Sequence, residues 1–211
     1  FDDLQWEVVS IPHSVQLMPS EASGCRNYQG IAWYRKRFVV PESSEGKDVS
    51  IHFEAAMGKQ VLYLNGNKVG EHQGGYLPFS LNLTDQGVVA GDTCVVAVMV
   101  DNSNDKTFPP GKPQYTLDFS YHGGIYRDVS LISVSPIHIS TTHYASSGVY
   151  VNTPEITEEN GQRPLGLKIL GGHGALNLLF IYLPQHKRRC RFDFLLYHVF
   201  FRIASGGRWE F

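Results

Sequence analysis

Cysteine is scarce in this chain, with three in 211 residues, and the three stand far apart at positions 25, 94 and 190. An odd, scattered set supports neither a disulfide framework nor a paired zinc-ligand motif. Cys94, inside an apolar run, reads as a buried thiol. Excess charge is missing too: a formal net charge of −2 gives no basic surface for nucleic acid. The longest runs in the tail that look apolar, 175–184 and 192–201, are ten residues each. That is half of the roughly 20 a membrane-spanning helix needs, so no membrane partner is expected. Histidine occurs without pattern. His13, His52 and His72 form no His-x-x-x-His or mixed Cys/His spacing, and neither metal nor catalysis is assigned to them. Gly74-Gly75-Tyr76 lacks the Gly-Lys-Ser and the helix start of a phosphate loop and reads as a bulge. No cofactor motif is found. The chain opens at Phe1 without a charged-then-apolar leader, so the expectation is a signal peptide absent or already removed. Periplasmic, secreted and cytoplasmic locations all stay open.

What is present is a turn-rich globular composition, 42% hydrophobic and 18% charged with 21 glycines and 11 prolines, as an all-β chain requires. Residues 31–40 alternate apolar and basic positions as a half-buried strand does, and 49–55 and 76–83 alternate likewise. Val61-Leu62-Tyr63-Leu64 followed by Asn65-Gly66 predicts a hairpin that returns along Lys68–Glu71. The run Cys94–Val100 reads as a strand covered on both faces. Leu131–Ile139 and Gly148–Thr153 read as further strands. Short strands at intervals of about ten residues predict a sandwich or barrel. Pro12 and Pro19 make the leading segment an edge or a loop. Residues 101–117, rich in Asn, Asp and Pro, form a long exposed loop, a kind more often functional than not.

That loop runs into the densest stretch of the chain, Asp118-Phe119-Ser120-Tyr121-His122-Gly123-Gly124-Ile125-Tyr126-Arg127-Asp128-Val129. With the segments Ile11-Pro12-His13, Trp33–Phe38, Val61–Gly66, Gly70–Phe79 and Val100-Asp101-Asn102, in order and at matching spacing, it resembles the N-terminal sugar-binding domain of glycoside hydrolase family 2. That family includes β-galactosidases, β-glucuronidases and β-mannosidases. The resemblance covers residues 6 to 160. It implies an antiparallel, jelly-roll-like β-sandwich of the galactose-binding type over 1–140. A linker and the first strand of an immunoglobulin-like domain follow over 141–161.

Taken alone, Asp118 reads as a turn-capping aspartate. The resemblance implies instead that it reaches toward a hydroxyl of the terminal sugar in the catalytic barrel's pocket. Tyr121 and His122 are expected at the rim of that site or in simple packing, and Arg127 as a structural arginine or a sugar contact. No catalytic residue is assigned. Retaining hydrolysis needs two carboxyl groups about 5–5.5 Å apart, and the family's two glutamates belong to a barrel that this chain does not include. Glu54, Glu71 and Glu155 match no such motif. The partner implied is a β-linked sugar or oligosaccharide, met through the missing catalytic domain, and a homo-oligomeric parent is compatible with it. The chain is thus expected to be the sugar-binding part of a retaining β-glycosidase, a β-galactosidase by preference. A free carbohydrate-binding module is the alternative; it would need an exposed aromatic platform, whereas Trp6 and Trp33 read as packed. From Gln162 onward eight Lys or Arg stand against two acids, while ten basic and eighteen acidic residues precede it. This break marks 162–211 as an atypical tail, shifted in frame or disordered.

Overall fold

A computed structural model describes residues 5–17, 27–119 and 121–152, together with the strand segments 166–169, 199–201 and 208–210. Its strands in chain order are β1 (Val8–Ser10), β2 (Ile31–Val39), β3 (Asp48–Phe53), β4 (Lys59–Leu64), β5 (Asn67–Gln73), β6 (Phe79–Asn82), β7 (Thr93–Asp101), β8 (Val129–Val134), β9 (Val149–Asn152), β10 (Gly166–Ile169), β11 (Val199–Phe201) and β12 (Arg208–Glu210). They form a six-stranded sheet in the order β1-β12-β2-β7-β4-β5, a four-stranded sheet β11-β8-β3-β6 and the pair β10-β9. All the pairings are antiparallel. This is the sandwich that the period-two pattern predicts.

The alternation decides which side chains meet. In β7 Cys94, Val96, Val98 and Val100 are buried, as are Leu62 and Leu64 of β4, and they join Val49, Ile51 and Phe53 of β3 and Val129 and Leu131 of β8 in one core. Phe53 stacks on Phe79 with ring centroids 4.6 Å apart, and Tyr34 of β2 is fully buried in the same core. The thiol of Cys94 lies inside it, and burial pushes its pKa up. Asn65 and Gly66 have φ of 49° and 86°, both left-handed as a two-residue type I′ hairpin needs, so Asn-Gly here is the turn itself.

Several sequence expectations need correction. β7 is covered on one face only; Val95, Ala97 and Met99 on the other are half-exposed, because their apolar character serves the outer surface and not a second core. Gly74-Gly75 is no bulge but the loop that ends β5, held where the Gly74 amide donates to the Gly58 carbonyl at 2.9 Å. The shift in strand register falls instead between Leu62 and Tyr63. β8 stops at Val134, ahead of Pro136, whose missing N–H cannot extend the ladder. Trp33 and Trp6 are not packed: Trp33 points outward from β2 at 39% exposure, and Trp6 is half-buried. Most of the tail 162–211, like Glu155, lies outside the described residues.

Candidate functional site

The site begins where β7 ends. Asn102 is buried, and its side-chain amide ties the departing chain to the segment before β2: Nδ2 donates to the Tyr28 carbonyl at 2.6 Å and Oδ1 accepts from the Gly30 amide at 2.9 Å. Asp105 pairs with Lys59 of β4 and accepts from the Thr107 amide at 2.7 Å. Lys59 and Thr107 together hold its carboxyl well below the usual carboxylate range. The chain then makes a single helical turn at Gln114–Thr116.

Gln114 is the clamp of this loop, 3% exposed. Its Nε2 donates to the Tyr121 carbonyl at 3.0 Å and its Oε1 accepts from the Asn27 amide at 3.1 Å. Its own backbone amide donates to Asn104 Oδ1 at 3.0 Å, which also accepts from Gln29 Nε2 at 2.7 Å. The buried amide side chain closes a short arc, residues 114 to 121, and the exposed apex of that arc carries Asp118 and Phe119. A buried hydrogen-bonded amide specifies one arrangement because each orphaned partner would cost about 1–3 kcal/mol.

Beneath the arc, Tyr121, Leu117 and Met57 form a small apolar cluster against Tyr126. Burial pushes the Tyr121 hydroxyl up to about 12. Tyr126 donates to the Gly75 carbonyl at 2.5 Å, and Arg127, exposed, places its guanidinium 5.8 Å from the Tyr126 ring centroid. His122 is half-buried, with Nδ1 lacking a hydrogen-bond partner among the described residues. The Gly123-Gly124 turn is anchored by the Val15 amide donating to the Gly123 carbonyl at 2.9 Å, by Met57 to Gly124 at 3.0 Å and by His13 to Ile125 at 2.8 Å. Gly124 has φ +115°, and a Cβ there would stand 2.8 Å from the His13 carbonyl and 2.5 Å from the Tyr34 hydroxyl. The position therefore requires glycine.

Asp118 and Tyr121 thus share one arc, Tyr121 as its packed floor and His122 just past its closing residue, while Arg127 leans on Tyr126 beyond the glycine turn. Asn102 belongs to the Val100-Asp101-Asn102 motif, whereas the sequence assigns no role to Gln114 or Asn104. The one available signal was the density of Asn and Gln in a loop that has no apolar period. An exposed carboxylate on a pinned arc accepts hydrogen bonds from hydroxyls but does not cleave a bond by itself. Glu71 is neutralised by Lys68 at 2.8 Å, and Glu54 follows β3 in the opposite sheet. The histidines have structural partners: His13 meets the Tyr34 hydroxyl at 2.8 Å, His52 meets Ser80 at 2.9 Å, and His72 stacks on Phe79 at 4.6 Å.

A β-galactosidase of Thermoanaerobacter pseudethanolicus is 36% identical over 157 residues, 74% of this chain and 21% of the relative. A β-glucuronidase of Formosa agariphila is 30% identical over 190 residues, 82% of this chain and 19% of the relative. Among solved structures, Bacteroides uniformis β-glucuronidase 2 superposes with a TM-score of 0.65 at 33% identity, over 80% of this chain and 19% of that one. The chain therefore spans about a fifth of the length of the relatives it matches. The family model described as the sugar binding domain of the glycosyl hydrolases family 2 matches residues 7–135, the span that holds both sheets' core strands, the Gln114 clamp and the Asp118 arc, and the chain belongs to that family.

Proposed function

We propose that this chain supplies one wall of the substrate pocket of a retaining β-glycosidase, a β-galactosidase by preference, with Asp118 accepting hydrogen bonds from hydroxyls of the terminal sugar. The observation that carries the reading is the exposed Asp118 at the apex of an arc closed by the buried Gln114 amide. A carboxylate held ready before the sugar arrives loses little side-chain freedom on binding. The acid/base and nucleophile come from the remainder of the protein; residues 1–140 form the sugar-binding unit and 141–161 begin the next domain. The β-galactosidase preference draws support from the T. pseudethanolicus relative. A β-glucuronidase is the second reading, favoured by the F. agariphila relative and the B. uniformis fold.

The test is Asp118→Ala in the full-length parent, assayed on nitrophenyl β-galactoside and β-glucuronide. Loss of one charge-assisted hydrogen bond of about 1.5–3 kcal/mol lowers kcat/KM roughly 10- to 150-fold on the true substrate. The melting temperature stays put because no core cavity opens. Asp85→Ala, an exposed carboxylate outside the arc, leaves the rate unchanged. Equal effects of both substitutions, or activity lost only through unfolding, would make Asp118 a turn cap.

A further inference from the structure

On one side of the sandwich the two sheets end in β5 and β6, and a cleft of about 600 Å³ opens between these edge strands. It exists because β5 carries a glycine where an inward side chain would stand. Gly70 is the register partner of Leu62, and a Cβ on it would meet only Leu62 Cδ1, at 3.8 Å, so the space over Leu62 stays open to the edge. Leu62, Phe79 and Leu81, all buried, give the cleft an apolar floor.

Polar groups stand at its rim, on either side of the single helical turn Thr84–Gln86. Asn82 Oδ1 accepts from the Asp85 amide at 3.2 Å, which orients the carboxamide and leaves its Nδ2 to donate. Gln86 is exposed and offers both a donor and an acceptor. Among the described residues no lysine or arginine lines the cleft, whereas Asp85 does, so the lining does not favour an anion.

The far wall is a turn that its own residues disfavour. The Ser146 amide donates to the His143 carbonyl at 3.0 Å, closing a four-residue turn whose central residues, Tyr144 and Ala145, have φ of 52° and 47°. Both are left-handed, as in the Asn65-Gly66 hairpin, but a tyrosine and an alanine stand where this geometry favours asparagine and glycine. Such strain persists only where the surroundings over-determine it. Here Ser146 Oγ donates to the His143 carbonyl at 2.8 Å and lies 2.9 Å from the Tyr150 hydroxyl, which is 3.0 Å from His143 Nδ1. The outcome is a phenol ring at the cleft's mouth, 85% exposed, with the His143 ring nearly perpendicular to it, centroids 4.7 Å apart at 77°. Asn-Gly would make the same turn unstrained; what Tyr-Ala adds is the ring.

We propose that this cleft binds neutral oligosaccharide, with Tyr144 under the C–H face of a pyranose and Asn82 and Gln86 on its hydroxyls. An exposed aromatic ring over an apolar floor, with carboxamides beside it and no cation, suits an uncharged ring ringed by hydroxyls. The site is separate from the Asp118 arc and holds a sugar chain without acting on it.

Calorimetric titration of the whole 211-residue chain with a neutral β-linked galacto-oligosaccharide is the test, with a glucuronate-containing oligosaccharide as comparison. The neutral ligand binds, and the acidic one binds more weakly. Tyr144→Ala weakens neutral binding about tenfold or more. Ala145→Gly relieves strain and keeps the ring, so the melting temperature rises while affinity is held. Tyr144→Asn combined with Ala145→Gly gives the turn its favoured sequence and removes the ring: the chain becomes more stable and loses affinity as Tyr144→Ala does, a pairing that a merely structural turn does not produce. Gly70→Val fills the cleft from β5, where the backbone is not left-handed, and abolishes binding with the circular dichroism spectrum unchanged. Asp118→Ala leaves every titration as it is, which separates this site from the pocket proposed above. No neutral binding, affinity indifferent to Tyr144→Ala and Gly70→Val, preference for the acidic ligand, or binding lost with Asp118→Ala overturns the proposal. So does binding by the 211-residue chain that is absent from the full-length parent, since the cleft is then covered by the rest of the protein.

Discussion

Replacing Gln114 by Leu removes the clamp of the Asp118 arc while keeping nearly the same volume, so no cavity term enters. The change orphans two backbone groups at once, the Asn27 N–H, 3.1 Å from Oε1, and the Tyr121 C=O, 3.0 Å from Nε2. Asn27 is 7% exposed and Tyr121 4%, so neither group has water at hand. At about 1–3 kcal/mol for each buried unsatisfied group the native arrangement loses roughly 2–6 kcal/mol. That is more than a surface arc needs in order to open, because Tyr115, Thr116, Asp118 and Phe119 are already exposed. The arc therefore lifts and lets water in while the sandwich stays folded. Native-state hydrogen exchange is the assay: protection of the Asn27 amide falls roughly 5- to 150-fold, following 1–3 kcal/mol on that group. Val98, in the centre of β7 and fully buried, keeps its protection. In the full-length parent kcat/KM falls with it, because Asp118 no longer waits in one place. An unchanged Asn27 amide would show that the clamp does not hold the arc; an equal fall at Val98 would show that it holds the whole fold.

Gly124→Ala forces a left-handed φ of +115° on a residue whose Cβ stands 2.8 Å from the His13 carbonyl. Strain and overpacking of about 1–3 kcal/mol each lower the melting temperature of the chain by roughly 5–20 °C, read by calorimetry. Gly66→Ala, with nothing near its Cβ and φ +86°, meets strain alone and falls by less. Burial lowers the pKa of His13, His52 and His72, each against a weaker raising influence. A base whose folded pKa is depressed binds its proton more readily when unfolded. The stability it contributes is therefore present above pH 6.5 and lost as pH falls below it; urea midpoints drop between pH 7.5 and 5, and less in His52→Gln. By itself the 211-residue chain turns over no nitrophenyl β-galactoside or β-glucuronide, and turnover that rises in proportion to purified chain would refute the view that the carboxylate pair lies elsewhere.

The sheets were legible because burial on one face imposes period two. Ile51, Phe53, Leu62, Val96 and Val98 announce the core by parity alone, and Asn65-Gly66 announces its hairpin. The same parity places Trp33 outward once Tyr34 is known to be inward, against the expectation that a tryptophan belongs to the core. β7 misled for a related reason, since Val95, Ala97 and Met99 are apolar without being interior. Asp118 stands out in the sequence only through the resemblance to a family; its own chemistry is that of any loop aspartate. The Gln114 clamp was not legible at all. It joins residues 87 positions apart, and no local pattern encodes a contact that exists only when the β2 approach and the loop after β7 are brought side by side.

The anchoring of His13 on Ile125 and of Val15 on Gly123 also sets a timetable for synthesis. Residue 13 leaves the ribosome 112 residues ahead of the carbonyl that receives its amide, roughly 6–22 s earlier at 5–20 residues per second. Through that interval the His13 and Val15 amides lack the carbonyls that hold them in the finished fold. The base of the arc is closed only when the glycine turn emerges and takes up the His13 and Val15 amides. A ribosome pausing before Gly123 would hold a nascent chain in which β2, β7, β4 and β5 can already pair while β8, the neighbour of β3, is still to come.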